Sequence, residues 1–248
     1  MPSLDQLRVK LFADGADLDV IRGMAANPRI KGFTTNPTLM RRAGIGDYVA
    51  FAREALRIVP DRPISFEVFS DDFAEMELQA LEIASWGSNV FVKIPITNTR
   101  GESAAPLVSR LSAAGVQLNV TAILTDRQVT GIAAVLSPRT ACFMSVFAGR
   151  IADTGADPVP IIERALAILR RLPLAEVIWA SPRELLNVFQ ADAAGCHVIT
   201  ATSDVLNKLS LVGKDLTAYS LETVEMFRKD AVAAGFTIPV SAPAREIV

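Results

Sequence analysis

Cysteine and histidine are scarce in this chain: two cysteines and one histidine among 248 residues. That supply cannot build a structural zinc site of the common kinds. Cys142 and Cys196 lie in separate apolar runs and can form one bridge at most, so free, buried thiols in a reducing compartment are expected. His197, just ahead of Val198-Ile199-Thr200, is expected to be structural or solvated. Charge of one sign is lacking too. The formal net charge is -2 with the charges interspersed, so no basic surface for nucleic acid is implied. No apolar run approaches the ~18–20 residues of a membrane helix. The opening Met-Pro-Ser-Leu-Asp-Gln-Leu lacks the layout of a signal peptide, so a cytoplasmic location is expected, with no membrane partner. Serine nucleophile elbow, Walker A loop and dinucleotide glycine fingerprint are all missing, and chemistry without a cofactor or metal follows as the expectation.

What the chain has instead is apolar bulk in a repeating order. Half of its residues are hydrophobic and 21% are charged, which suits a globular protein with much of its length inside. Apolar, β-branched runs predict strands at Val9–Asp14, Ile30–Thr34, Ile64–Phe69, Val90–Pro95, Gln117–Thr121, Ala141–Phe147, Val177–Ala180 and His197–Thr200. Helical spacing fills the intervals, at Phe73–Trp86, Ser103–Ala114, Asp126–Leu136 and Pro160–Leu172. Alternation of this kind, with near-continuous apolar strands, predicts a closed parallel (β/α)8 barrel. An open doubly wound sheet is the competitor, but it usually has fewer strands and a glycine-rich first turn. No linker divides the chain, so one domain over residues 1–248 is expected, with an extra helix at Ser220–Ala234. Leu221, Val224 and Phe227 form an apolar stripe on that helix, suited to its own barrel or to a neighbouring subunit.

The chemistry-bearing residues interrupt the strands. Lys93 sits inside Asn89-Val90-Phe91-Val92-Lys93-Ile94-Pro95-Ile96, the most apolar run of all. Burial disfavours a charged amine, and an amine that has given up its proton is a nucleophile for carbonyl carbon. Snorkelling from a strand end is the plainer reading. Barrel active sites lie at the C-terminal strand ends, and those ends are unusually polar here. Asp14 ends the first strand, and Thr34-Thr35-Asn36-Pro37 follows the second. Glu67 shares a strand face with Ser65, and Asn119 shares one with Thr121. Arg150 follows the sixth strand and Ser181-Pro182-Arg183 the seventh. Each has a structural explanation alone: Asn36 as a helix cap before Pro37, Asp14 as a turn cap with Gly15, Glu67 as an ion-pair partner of Lys93. Convergence on one end of a barrel is what coincidence does not explain.

Gly32-Phe33-Thr34-Thr35-Asn36-Pro37-Thr38, Val92-Lys93-Ile94-Pro95, Asn119-Val120-Thr121, Ser145-Val146-Phe147-Ala148-Gly149-Arg150 and Ala180-Ser181-Pro182-Arg183 occur in order along the chain. Together they resemble the transaldolase family, in the short-chain branch that includes fructose-6-phosphate aldolase, from about Leu11 to Leu209. The resemblance implies a TIM barrel of class I aldolase type with Lys93 as the Schiff-base residue. Glu67 and Thr121 match the proton relay that works through a held water, and Asp14 matches the base for the C4 hydroxyl. Asn36 and Asn119 match the holders of the enamine hydroxyls. Arg150, Ser181 and Arg183 match the phosphate-binding positions. No metal or cofactor is implied, and the partners implied are sugar phosphates and further copies of the chain in a ring-like pentamer or decamer.

Within that family, aldolase-type members tend to carry Gln where Glu67 stands and Tyr where Phe147 stands. This chain has the transaldolase choice at both, and arginine at 183, so transfer of a dihydroxyacetone unit is expected, with fructose-6-phosphate aldolase activity as the alternative. A barrel that binds a sugar phosphate without reacting is a third reading, and it predicts no covalent adduct. Gly15, Val146, Pro182 and Ala201-Thr202 depart from the residues common in relatives. They leave the catalytic set intact and put the shape of the acceptor pocket in question.

Overall fold

The computed structural model describes residues 3–239. Its strands are β1 (Lys10–Asp14), β2 (Ile30–Thr34), β3 (Ile64–Glu67), β4 (Val90–Pro95), β5 (Leu118–Ile123), β6 (Cys142–Val146), β7 (Ala175–Trp179) and β8 (Val198–Thr202). All neighbours pair in parallel, and β1 closes on β8 to complete the (β/α)8, or TIM, barrel. Helices alternate with the strands, several starting on a side-chain cap: Asp17, Asn36, Asp47, Asp72 and Thr125 each accept backbone N–H groups of the first turn. Such a cap is worth about 1 kcal/mol.

All eight expected strands are present, with differences of one or two residues at their ends. β3 stops at Glu67 rather than Phe69, because the N–H groups of Phe69 and Ser70 turn away to donate to Gln79 Oε1. β5 runs on to Ile123 past Thr121 through a shift in register, where Ala122 adopts φ 61°. β7 begins at Ala175, and β8 begins after His197 and runs to Thr202. His197 lies at the N-terminal end of the barrel, its Nδ1 accepting the Val177 N–H at 3.0 Å.

The strand period of two sorts the side chains. Val92, Val120, Met144, Val177 and Ile199 belong to the large core outside the strands, with helix residues such as Ala52, Ala80, Leu111, Ile132, Ala165 and Val188. Phe12, Phe91, Phe143, Ile178, Ala180 and Val198 form a separate cluster within the barrel. Its rings are tightly set: Phe12 meets Phe143 edge-on at 5.5 Å, and Phe91 lies 4.3 Å from Phe143. Gly32 makes the room, since a Cβ there would fall 2.4 Å from the Phe12 ring.

The chain divides into two compact units, and the second begins at Leu211. Its helix spans Leu216–Ala233, starting four residues ahead of the expected Ser220 because Asp215 Oδ1 accepts the Ala218 N–H at 2.8 Å. Leu221, Val224 and Phe227 are exposed. No helix among the described residues is long and apolar enough to cross a membrane.

Candidate active site

Above the phenyl cluster, at the C-terminal ends of the strands, lies a cleft of about 580 Å³. Lys93 is at its base, 6% exposed. Register sets its company, with Glu67 of β3 on one side and Asn119 of β5 on the other. Lys93 Nζ stands 3.3 Å from Glu67 Oε2 and donates to the Thr35 carbonyl at 3.0 Å. A lysine at this depth needs such compensation, because an isolated buried charge is prohibitively unfavourable.

Asp14 lies on the other side of the cleft. Its Oδ1 accepts from Thr34 Oγ1 at 2.7 Å and its Oδ2, more loosely, from Asn36 Nδ2 at 3.4 Å. Thr34 Oγ1 is also 2.6 Å from Thr200 Oγ1. A hydroxyl has one proton to give, so with Thr34 donating to Asp14, Thr200 donates to Thr34. Burial pushes the Asp14 carboxyl above its ordinary value, opposed by the Lys93 charge and the hydrogen bonds from Thr34 and Asn36. Asp14 does not cap the first helix; Asp17 does. Asn36 both caps its helix, accepting the Leu39 N–H at 3.0 Å, and reaches Asp14.

Asn119 is completely buried, its Nδ2 donating to Ser65 Oγ at 2.9 Å and its Oδ1 accepting from Ser145 Oγ at 2.7 Å. Of the residues singled out from sequence, it is the one that does not line the cleft. Thr121 does line it, and its buried hydroxyl has no hydrogen-bond partner among the described residues. A buried polar atom without a protein partner asks for an explanation.

Phe147, Arg150, Ser181 and Arg183 form the wall opposite β2 and β3. Ser181 adopts φ 60°, a conformation that is uncommon outside glycine. Gly149 allows it: a Cβ there would lie 1.6 Å from the Ser181 carbonyl oxygen. Arg150 is exposed, whereas Arg183 is held by Asp153, with Nε donating to Oδ1 at 3.0 Å and Nη2 to Oδ2. Five N–H donors leave the guanidinium further bonds to make.

Sequence reading missed several contributors. Thr200 and Arg42 line the cleft, Asp153 holds Arg183, and the Tyr48 hydroxyl bonds to the Glu67 backbone. Thr200 had a signal, being polar near the end of an apolar strand. Asp153 and Tyr48 had none, since each acts on a residue distant in the chain.

A closed barrel with a buried lysine–carboxylate pair at its C-terminal mouth is the architecture of a barrel enzyme. The model of the transaldolase/fructose-6-phosphate aldolase family matches residues 11–238. A probable transaldolase of Thermoanaerobacter sp. is 37% identical over 232 residues, covering 93% of this chain and 100% of the relative. A probable transaldolase of Streptococcus agalactiae is 37% identical over 223 residues, covering 90% and 97%. The chain belongs to the transaldolase/fructose-6-phosphate aldolase family. Solved structures agree on the fold. KGPDC from Streptococcus mutans superposes with a TM-score of 0.55 at 10% identity, covering 79% of this chain and 88% of that one. An aldolase, QR15, gives 0.54 at 11% identity, covering 84% and 99%.

Proposed function

We propose that this chain carries out the transaldolase-type reaction of its family through a Schiff base on Lys93. The observation that carries the reading is Lys93 Nζ at the cleft base, 3.3 Å from Glu67 Oε2, with the unpartnered Thr121 hydroxyl lining the same cleft. Glu67 takes a proton from the ammonium, and the neutral amine attacks the C2 carbonyl of a ketose phosphate. The resulting carbinolamine loses its hydroxyl as water, the proton coming back from Glu67 by way of a water held with Thr121. Asp14 then removes the proton of the C4 hydroxyl, the C3–C4 bond breaks, and its electron pair flows into the iminium to leave an enamine. The aldehyde phosphate departs. Attack of the enamine on an acceptor aldehyde runs these steps in reverse, Asp14 returning its proton to the new hydroxyl.

A raised Asp14 carboxyl supports this exchange, because it can hold the proton between the two half-reactions. Asn36, fixed at its own helix start and within reach of Asp14, suits a hydroxyl of the bound three-carbon unit. Asn119 serves the same unit from below by holding Ser65 and Ser145 in place. Arg150, Ser181 and Arg183 receive the phosphate, with Asp153 aiming the Arg183 fork. Phe147 brings no hydroxyl to the relay, which favours transfer over release of free dihydroxyacetone.

Borohydride reduction in the presence of fructose 6-phosphate, read by intact mass, tests the mechanism. One adduct on the wild-type chain and none on Lys93→Ala is the expected result. No increment in the wild type, or one that survives Lys93→Ala, sinks the Schiff base. Dihydroxyacetone released without an acceptor as fast as transfer proceeds would turn the assignment to aldolase.

A further inference from the structure

β2 and β3 part company just where the site begins. Along their seam, Phe33 N–H donates to the Pro63 carbonyl at 2.8 Å and Thr35 N–H to the Ser65 carbonyl at 3.2 Å, a step of two residues on each strand. Continued, this parallel ladder would carry the Glu67 N–H to the Thr35 carbonyl and the residue-37 N–H to the Glu67 carbonyl. Neither bond forms. The Thr35 carbonyl accepts from Lys93 Nζ instead, and residue 37 is proline, which has no N–H to give. Both backbone groups of Glu67 on that edge are therefore left without a strand partner, a loss a part-buried peptide cannot easily bear.

One side chain meets both needs. Tyr48 Oη accepts the Glu67 N–H at 2.8 Å and donates to the Glu67 carbonyl at 2.9 Å. Its place is fixed in turn: Tyr48 is the first residue of the helix Tyr48–Ile58, capped by Asp47, and its ring packs edge-on against Phe66, Phe69 and Trp86. Burial pushes the hydroxyl well above its ordinary range, so it stays protonated and able to donate at every working pH.

We infer that Tyr48 is a positioning residue for the proton relay, its hydroxyl replacing the missing β2–β3 rungs so that Glu67 faces Lys93 while the Thr35 carbonyl is free for the amine. The inference rests on the reading of Glu67 and Lys93 given above. The reacting atoms are untouched by Tyr48; what it sets is the direction of the Glu67 carboxylate, and misplacement of a catalytic group by about 1 Å is worth about 100-fold in rate.

The test is the rate at which the borohydride-trappable adduct with fructose 6-phosphate forms in a single turnover, measured across pH. Tyr48→Phe is expected to slow adduct formation by about 10- to 100-fold and to displace the acid limb of the pH profile, with the concentration for half-saturation little changed. In a Glu67→Gln background the same substitution is expected to add almost nothing, because both changes act through one carboxylate. 3-Fluorotyrosine at position 48, which keeps the hydroxyl, should restore the rate. In the unmodified protein, the Glu67 amide should exchange with solvent as slowly as its paired strand neighbours. Wild-type adduct kinetics in Tyr48→Phe, an equal loss in the Glu67→Gln background, or fast exchange of the Glu67 amide overturns the inference. Each leaves the Schiff base standing so long as the wild type is trapped at Lys93. Absence of a Lys93 adduct in the wild type overturns the underlying reading instead.

Discussion

Two residues separate the floor of the barrel from its mouth on the same strands, and their chemistry could hardly differ more. Phe12 lies below Asp14, Phe91 below Lys93, Phe143 below Ser145 and Val198 below Thr200. The floor is three packed rings and aliphatic side chains, without a polar side chain in the cluster. Immediately above it nearly every inward residue carries a hydrogen-bonding group, and most of these are joined in chains: Thr200 to Thr34 to Asp14, Ser145 to Asn119 to Ser65. The site's polarity is thus bounded from beneath by the core itself. A lysine and two carboxylates can act on each other strongly because the layer under them excludes water.

Removing the floor should do the most damage. Phe143→Ala deletes the ring that both Phe12 and Phe91 touch, and a loss of about 3–5 kcal/mol in stability is expected, read as an earlier urea midpoint at an unchanged slope. An unshifted midpoint would mean the phenyl layer is not part of what holds the barrel shut. Changing the mouth should bring the opposite trade. Asp14→Asn is expected to lower transfer by about 100-fold or more yet to raise stability at neutral pH. The sign follows from the direction of the shift. Folding favours the protonated Asp14 carboxyl, so its contribution is present at low pH and is lost as pH rises from the ordinary 3.8 through the raised folded value. Asparagine has no such loss. The stability gap in favour of Asp14→Asn should therefore widen from pH 4 towards pH 8 and close in acid; a gap that widens in acid would contradict a raised carboxyl. The smallest effect should come at the rim. Asp153→Asn loosens Arg183 without removing it, and a KM for the phosphate substrate raised about three- to tenfold at nearly constant kcat is expected. An equal fall in kcat would place Asp153 nearer the chemistry than its contacts suggest.

The barrel was readable because parallel, doubly covered strands need near-continuous apolar runs, and the eight runs stand out from the helical spacing between them. The mouth was readable for a related reason: Lys93, Glu67, Asn119 and Thr121 are polar residues where the run calls for apolar ones. The structure brings all the residues singled out from sequence to one end, although Asn119 lies below the cleft surface. What stayed hidden depends on contacts made only in three dimensions. Tyr48 looks like an ordinary helix residue until β2 and β3 diverge beside it. Asp153 meets Arg183 across 30 residues of chain, and the left-handed turns at Ala122 and Ser181 carry no glycine to announce them. Backbone direction at a strand end is decided by neighbouring strands, and no local pattern encodes it.

The two buried thiols give the barrel a reporter of its own motions. Cys142 begins β6 and Cys196 lies just before β8, and burial pushes both up to about 12. A reagent that attacks thiolate finds almost none in the closed molecule at neutral pH, so labelling must wait until the wall around a thiol opens. The speed of labelling at each cysteine thus times the breathing of its own segment. The difference between the two, read on an unaltered chain, says whether the barrel opens as a whole or one stave at a time.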